Sequence, residues 1–526
     1  MRDKVYRGAE TNEISFPLGG IGTGCIGLAG NGRLIDWEIQ NRPNKGSVNG
    51  FSHLAIRAER AGKVLDARVL NGDLPAPYSG SFTGGKYASF GFGPPREALA
   101  GVPHFREAVF HGLYPLARVE FADPTFPGQV TLDAYNPFIP LNDRDSSIPA
   151  AFLEVGVQNP TDEPLSYAVC LAVLNPLRAG VPFSRYEERD ALKFMHLSAQ
   201  GLAADDPTAG GVVIATDAER VSYQESWFRG AWFDNLTIYW RDLNTPGPFR
   251  NRTYAADPAD RQAARGDHGL LAAHIDVAPG ETRRVRYVIS WSFPNRVNDW
   301  NPRACECATA GCAPAAEWRN HYATLFADAR DSAAYALCEW DRLYAETERF
   351  QQTLCSSTVP DEVIDAVTAN LSVLKSPTCL RLEDGTFYGF EGCHVCEGCC
   401  EGSCMHVWNY AQALPYLYPA LERSMRDADF VHNMGEDGGM GFRLQLPLGR
   451  ERSSFRPCVD GQFGGIIKAY RDWKISGDTD WLRRHWTAMK KMISYAWAET
   501  NPDGWDRDRD GVLEGRQHHT LDMELF

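Results

Sequence analysis

The apolar residues of this chain follow one period early and another late, and that switch limits the fold more than any single motif. Side chains alternate between two faces in a strand, whereas in a helix every third or fourth residue shares a face. Val285, Tyr287, Ile289 and Trp291 alternate with Arg284, Arg286, Val288 and Ser290, an imperfect two-residue period with an aromatic-rich face. Phe152–Val157, closed by the turn signal Asn159-Pro160, reads as another strand, as do Gly211–Ala215 and Leu236–Trp240. Gly and Pro interrupt this part at short intervals. Residues 1–315 are therefore expected to form a large N-terminal antiparallel β-sandwich.

After residue 315 the period becomes helical. Residues 316–358, with Tyr322, Leu325, Tyr335 and Leu343, read as a helical linker. Beyond Pro360, the residues Val363, Ile364, Val367, Leu371 and Leu374 share one helix face. Further helices are expected over 412–425, over 462–474 with a stop near Gly477, and over 480–498. In the last of these, Leu482, Trp486, Met489, Ile493 and Trp497 form the apolar stripe. Helices separated by loops fit an array of α-hairpins or a toroid, covering 359–526. About four helices cannot close a toroid, and the chain stops soon after a motif-rich loop. The expectation is a truncated chain or a split gene, with the rest of the toroid on a separate chain.

Charge removes some classes of function. Lys and Arg total 53 against 68 Asp and Glu, a net charge of −15, and no Lys/Arg run occurs, which argues against a nucleic-acid binder. No apolar stretch reaches the ~18 residues of a membrane span. The N-terminal residues carry no apolar signal core, so a cytoplasmic location is the default expectation.

The densest polar constellation is residues 505–522. Asp506, Asp508 and Asp510, followed by Gly511, match the start of an oxygen-rich calcium loop. An EF-hand needs Glu at its twelfth position, where this chain has Gln517. The segment is thus either a single calcium loop or an acidic solvated turn. Glu514 just beyond it could ligate metal or act as a nucleophile over a pocket. His406, Trp408, Asn409 and Tyr410 lead into an apolar helix, as pocket lining or as packing. Arg443 reads as a structural ion pair, and Asp437 and Asp460 as ordinary loop acids. Of 14 cysteines, five lie between Cys393 and Cys404. A structural zinc knot, disulfides and reduced thiols all remain open readings.

The chain resembles glycoside hydrolase family 116, the bacterial β-glucosidases and non-lysosomal glucosylceramidases. The resemblance rests on Phe16–Gly24, Pro137–Asn142, Asp145–Pro149, Trp291–Asn295, His406–Tyr410, Tyr470–Asp478, Asp508–Glu514 and Thr520–Asp522, in that order. It implies a β-sandwich joined to an (α/α)6 barrel, here incomplete, and a retaining β-glycosidase that needs no cofactor for its chemistry. Its substrate would be a carbohydrate or glycoside, most simply a β-glucoside. By the same resemblance Glu514 is the nucleophile and Asp522, in the motif with Thr520, binds a glycon hydroxyl; on the pocket-lining reading Thr520, His406 and Trp408 contact the sugar too. Leu521 stands where the family has Tyr. The acid/base Asp would lie beyond Phe526. Two alternatives are a catalytically silent carbohydrate-binding fragment and an inverting glycosidase or phosphorylase of similar architecture.

Overall fold

The computed structural model describes residues 4–74, 94, 96–230, 235–254, 266–298, 317–400, 402–449, 452 and 455–514. They fall into two compact units. The first is Met1–Ile139, Arg144–Asn295 and Tyr322–Ser376, and the second Pro140–Asp143, Arg296–His321 and Pro377–Phe526.

A nine-stranded and a five-stranded sheet build the first unit, and all their pairings are antiparallel. Ala150–Gln158 lies between Gln129–Tyr135 and Thr282–Ser292 in the larger sheet. Tyr287 joins the two sheets. Its hydroxyl donates to the Val169 carbonyl (2.8 Å) and accepts from the Ala273 N–H (3.1 Å). The two-residue period holds at Arg284 to Tyr287 and then fades, because both faces of Thr282–Ser292 become buried. Helix α2 covers the second face (here α1 is Leu236–Leu243 and α2 is Ala329–Cys338). Val288 shares a core with Ala333 and Ala336, and Ser290 and Ser332 hydroxyls meet at 2.6 Å. Trp340 and Leu343, at the start of α3 (Trp340–Cys355), extend that core. Next in sequence is α4 (Asp361–Leu371).

The expected strand Leu236–Trp240 is instead the start of α1. Its β-branched and aromatic residues suggest a strand, but residues 236, 239, 240 and 243 are spaced for a helix. All four pack on the cluster containing Trp227 and Phe249. Here burial of a helical stripe overrides local propensity.

The second unit is mainly helical: α5 (Pro419–Ala428), α6 (Val459–Ser476) and α7 (Thr479–Ser494). The helix expected over 412–425 divides at Tyr418 into Leu414–Leu417 and α5. Pro419 disfavours a helical conformation in the residue before it and cannot donate back to the preceding turn. Gly477 ends α6 with φ +69°, donating to the Trp473 carbonyl at 2.7 Å. Asp478 caps α7 through the Trp481 N–H (2.8 Å). The buried stripe of α7 is Trp481, His485, Met489 and Met492. Trp486 and Ile493, expected inside, are 56% and 42% exposed. Among the described residues, no helix is long and apolar enough to cross a membrane.

Candidate active site

The loop that carries Glu514 is anchored by a buried tryptophan. Trp505 is fully buried, edge-on to Tyr495 (5.4 Å) and tilted against Phe463 (6.1 Å). Asn501 is buried too, and its amide donates to the Tyr495 carbonyl at 3.2 Å. From this base the Asp506 N–H donates to the Ala496 carbonyl (3.1 Å), and the Glu514 N–H to the Trp505 carbonyl (2.6 Å). Leu513 packs on the same cluster, while Glu514 itself is exposed. The backbone of the carboxylate is thus fixed at both edges of the loop while its side chain faces outward.

Asp506, Asp508 and Asp510 converge. One carboxylate oxygen from each lies within 4.8 Å of the other two, with Asp506 buried and the others exposed. They are the only such metal-capable trio among the described residues. Two of them also shape the loop: Asp510 accepts from the Val512 N–H (2.7 Å) and Asp506 from the Gly511 N–H (3.4 Å). Thr520 and Asp522 lie outside the described residues.

His406 precedes the short turn Val407–Tyr410. Its Nδ1 is hydrogen-bonded to Asp460 Oδ2, and Asp460 Oδ1 accepts from the Gly461 N–H at 2.9 Å. A carboxylate-held imidazole is a directional partner of the kind a hydroxyl-rich ligand requires. Asp460, read from sequence as a loop acid, is therefore the polar residue that sequence reasoning passed over. Its one signal is its place in the first turn of α6, and 54 residues separate it from His406.

Trp408 is buried. Its indole N–H reaches the Gly389 and Phe390 carbonyls, each at 3.1 Å, and its ring meets Phe387 edge-on. The Trp408 carbonyl accepts from Lys468 Nζ (3.3 Å). Burial, reinforced by nearby Arg426, pulls the Lys468 ammonium down to about 7. Arg443 forms the expected ion pair, its Nε and terminal nitrogen donating to Glu391 Oε1 at 3.0 and 2.8 Å. Asp437 accepts from the Gly439 N–H (3.1 Å) as a turn residue.

The thiols of the Cys393–Cys404 segment are dispersed among different partners. Cys393 Sγ meets the Thr378 hydroxyl (3.3 Å), Cys404 accepts from the Val407 N–H (3.4 Å), and Cys399 and Cys400 face one another (3.5 Å).

A protein-family model described as "beta-glucosidase 2, glycosyl-hydrolase family 116 N-term" matches residues 15–343. No curated protein matches the chain in sequence. A bacterial glucoamylase complexed with acarbose superposes with TM-score 0.39 and 9% identity, over 94% of this chain and 61% of its own. A protein assigned as a kojibiose phosphorylase from the human microbiome gives 0.40 and 9%, over 91% and 56%. A family GH92 alpha-mannosidase from Bacteroides thetaiotaomicron, in complex with mannoimidazole, gives 0.30 and 11%, over 88% and 53%. The chain spans between about half and three-fifths of these structures.

Proposed function

The chain belongs to glycosyl-hydrolase family 116, and from that membership we propose that it supplies the β-sandwich and the first part of an (α/α)6 barrel of a retaining β-glycosidase. The match over residues 15–343 carries this reading. The anchored, outward-facing Glu514 supports it from the other end of the chain.

In this reading Glu514 attacks the anomeric carbon of a β-glucoside and forms a covalent glycosyl-enzyme. An Asp beyond Phe526 protonates the leaving oxygen and then activates water. Retention requires the two carboxyls about 5–5.5 Å apart. His406, oriented by Asp460, holds a glycon hydroxyl together with Asp522 and Thr520, and Trp408 backs the His406 turn. Glu514 must be ionised to attack, and its outward position leaves the carboxylate hydrated until substrate displaces water.

The test is covalent trapping on the protein that includes the sequence following Phe526. A 2-deoxy-2-fluoro-β-glucoside with a dinitrophenolate leaving group should add one glycosyl unit to the peptide holding Glu514. Glu514→Gln should abolish both the adduct and nearly all turnover while the melting temperature stays put. An adduct on another residue, or substantial turnover by the variant, would overturn the assignment.

We also propose that Asp506, Asp508 and Asp510 hold one calcium ion. Their hard oxygens suit calcium, and the Val512 carbonyl adds a neutral ligand. An ion bound only by the folded state raises stability by about 2.7 kcal/mol at one hundred times its Kd. Calcium should therefore raise the melting temperature of the wild type but not of Asp508→Asn/Asp510→Asn. Equal responses from both would show an acidic turn without a metal.

A further inference from the structure

Neighbouring residues of an extended segment point to opposite faces, so two adjacent cysteines normally keep their sulfurs apart. Cys399 and Cys400 depart from that rule. Cys399 ends the short strand Gly398–Cys399, which pairs with Gly392–Cys393. Cys400 then turns into the left-handed region, with φ +61°. A Cβ is sterically disfavoured in that region, which glycine usually occupies. The turn brings the two Sγ atoms to 3.5 Å, and both side chains are only half-buried. The other thiols of the segment are engaged elsewhere or exposed, with Cys393 on Thr378, Cys404 on the Val407 N–H and Cys396 in solvent.

We propose that Cys399 and Cys400 form a redox-active vicinal dithiol that closes to a disulfide on reaction with a low-molecular-weight disulfide and, when reduced, chelates a trivalent arsenical. This inference is independent of the glycosidase reading.

The chemistry balances with glutathione disulfide as the oxidant. The Cys399 thiolate attacks one sulfur of the oxidant, forming a mixed disulfide and expelling a glutathione thiolate. Cys400 then attacks the Cys399 sulfur and expels the second glutathione. Two protein thiols lose two protons and two electrons, and one disulfide becomes two thiols. Burial, then the contact with Cys399 and the negative Glu391, push the Cys400 thiol up to about 12. Cys400 is therefore the poorer first nucleophile of the two, which places Cys399 first and Cys400 second.

The pair is also wired to its surroundings. The Glu391 N–H donates to the Cys399 carbonyl (3.4 Å), and the Glu391 carboxylate holds Arg443 (2.8 Å). Arg443 pairs across a two-strand ladder with Cys404, two residues before His406.

The experiment uses the reduced 526-residue chain. After treatment with glutathione disulfide, residual thiols are alkylated and the chain is cleaved after glutamate. Glu397 and Glu401 bracket the tetrapeptide 398–401, which contains only Cys399 and Cys400, so an internal cross-link there has one meaning. The tetrapeptide should be recovered unalkylated and two hydrogens lighter. Phenylarsine oxide should bind the reduced protein, with one equivalent lost in both Cys399→Ser and Cys400→Ser and retained in Cys396→Ser. Glutathione persisting on either cysteine of the wild type would overturn the proposal. So would a disulfide from Cys399 or Cys400 to another cysteine, or arsenical binding indifferent to the two substitutions.

Discussion

Three neutral oxygens hold the Lys375 ammonium: Asn136 Oδ1 at 2.6 Å and the Pro137 and Ser146 carbonyls at 2.7 Å each. The Phe138 ring lies 5.6 Å away. Burial lowers the pKa of this lysine well below its usual range, yet the cage suits a charged donor better than a neutral one. Its place in the fold is that of a fastener between the segments around 137 and 146. Lys375→Met fills the space but takes the donor from Asn136 Oδ1 and the Pro137 carbonyl, while the Ser146 carbonyl keeps the Ile21 N–H. Urea unfolding should show a loss of about 3–5 kcal/mol, and a loss below 1 kcal/mol would remove the argument. Nothing in the sequence marks Lys375, because its partners lie 229 to 239 residues upstream. Asp460 was hidden for the same reason. By contrast Glu514 and the aspartates before it were legible, because their spacing is local. The glycines at 19–24 were legible as a motif but not as packing. A Cβ on Gly20 would sit 2.5 Å from the Ser147 backbone carbon. There the missing side chain permits contact between two backbones.

At the level of elements, α6 is built inside out. Its buried face carries Gln462, Gly465, Lys468, Ala469 and Asp472, while Ile467 and Tyr470 are 69% and 59% exposed. Helix α5 supplies the counterparts, the buried Glu422 and Arg426, with Asp429 just beyond its end. Arg426 meets Asp429 at 3.0 Å, and Arg471 meets Glu422 at 2.8 Å and Asp472 at 3.0 Å. Lys468 is the cation of this cluster that burial weakens most. Its folded pKa near 7 lies below the ordinary lysine value of 10.5. Between those values the unfolded chain binds more protons than the folded one, so stability rises with pH. The stability of the wild type relative to Lys468→Met should climb between pH 7 and 10, by at most about 1.4 kcal/mol per pH unit. A difference that stays flat or falls would show that the lysine remains fully charged. The same polarity explains what periodicity missed in α7. Two overlapping stripes, 481/485/489/492 and 482/486/489/493, both have helical spacing. The first is buried because Asp427 takes hydrogen bonds from Trp481 (2.7 Å) and His485 (2.6 Å), partners that no hydropathy pattern displays. The strands read more easily, because their burial follows the alternation until α2 covers the second face.

For the whole molecule, the sequence shows β structure giving way to helices, but not that each compact unit gathers chain from several places. Leu141 donates its N–H to the Leu417 carbonyl (2.8 Å), and Arg381 pairs with Asp143 (2.9 Å). His321 donates to the Arg381 carbonyl (3.1 Å), and the Asn298 amide to that of Leu446 (3.1 Å). All belong to the second unit. The fragment 377–526 expressed alone should therefore lack the cooperative thermal transition that the same region gives within the full chain. A sharp transition from the isolated fragment would show that the early segments are ornaments. The arrangement also imposes an order of events on the ribosome. Leu141 and Asn298 leave the exit tunnel long before Leu417 and Leu446 are translated. The nascent chain must hold these early segments in reserve, unpaired or shielded by a chaperone, until Leu417 and Leu446 have been made.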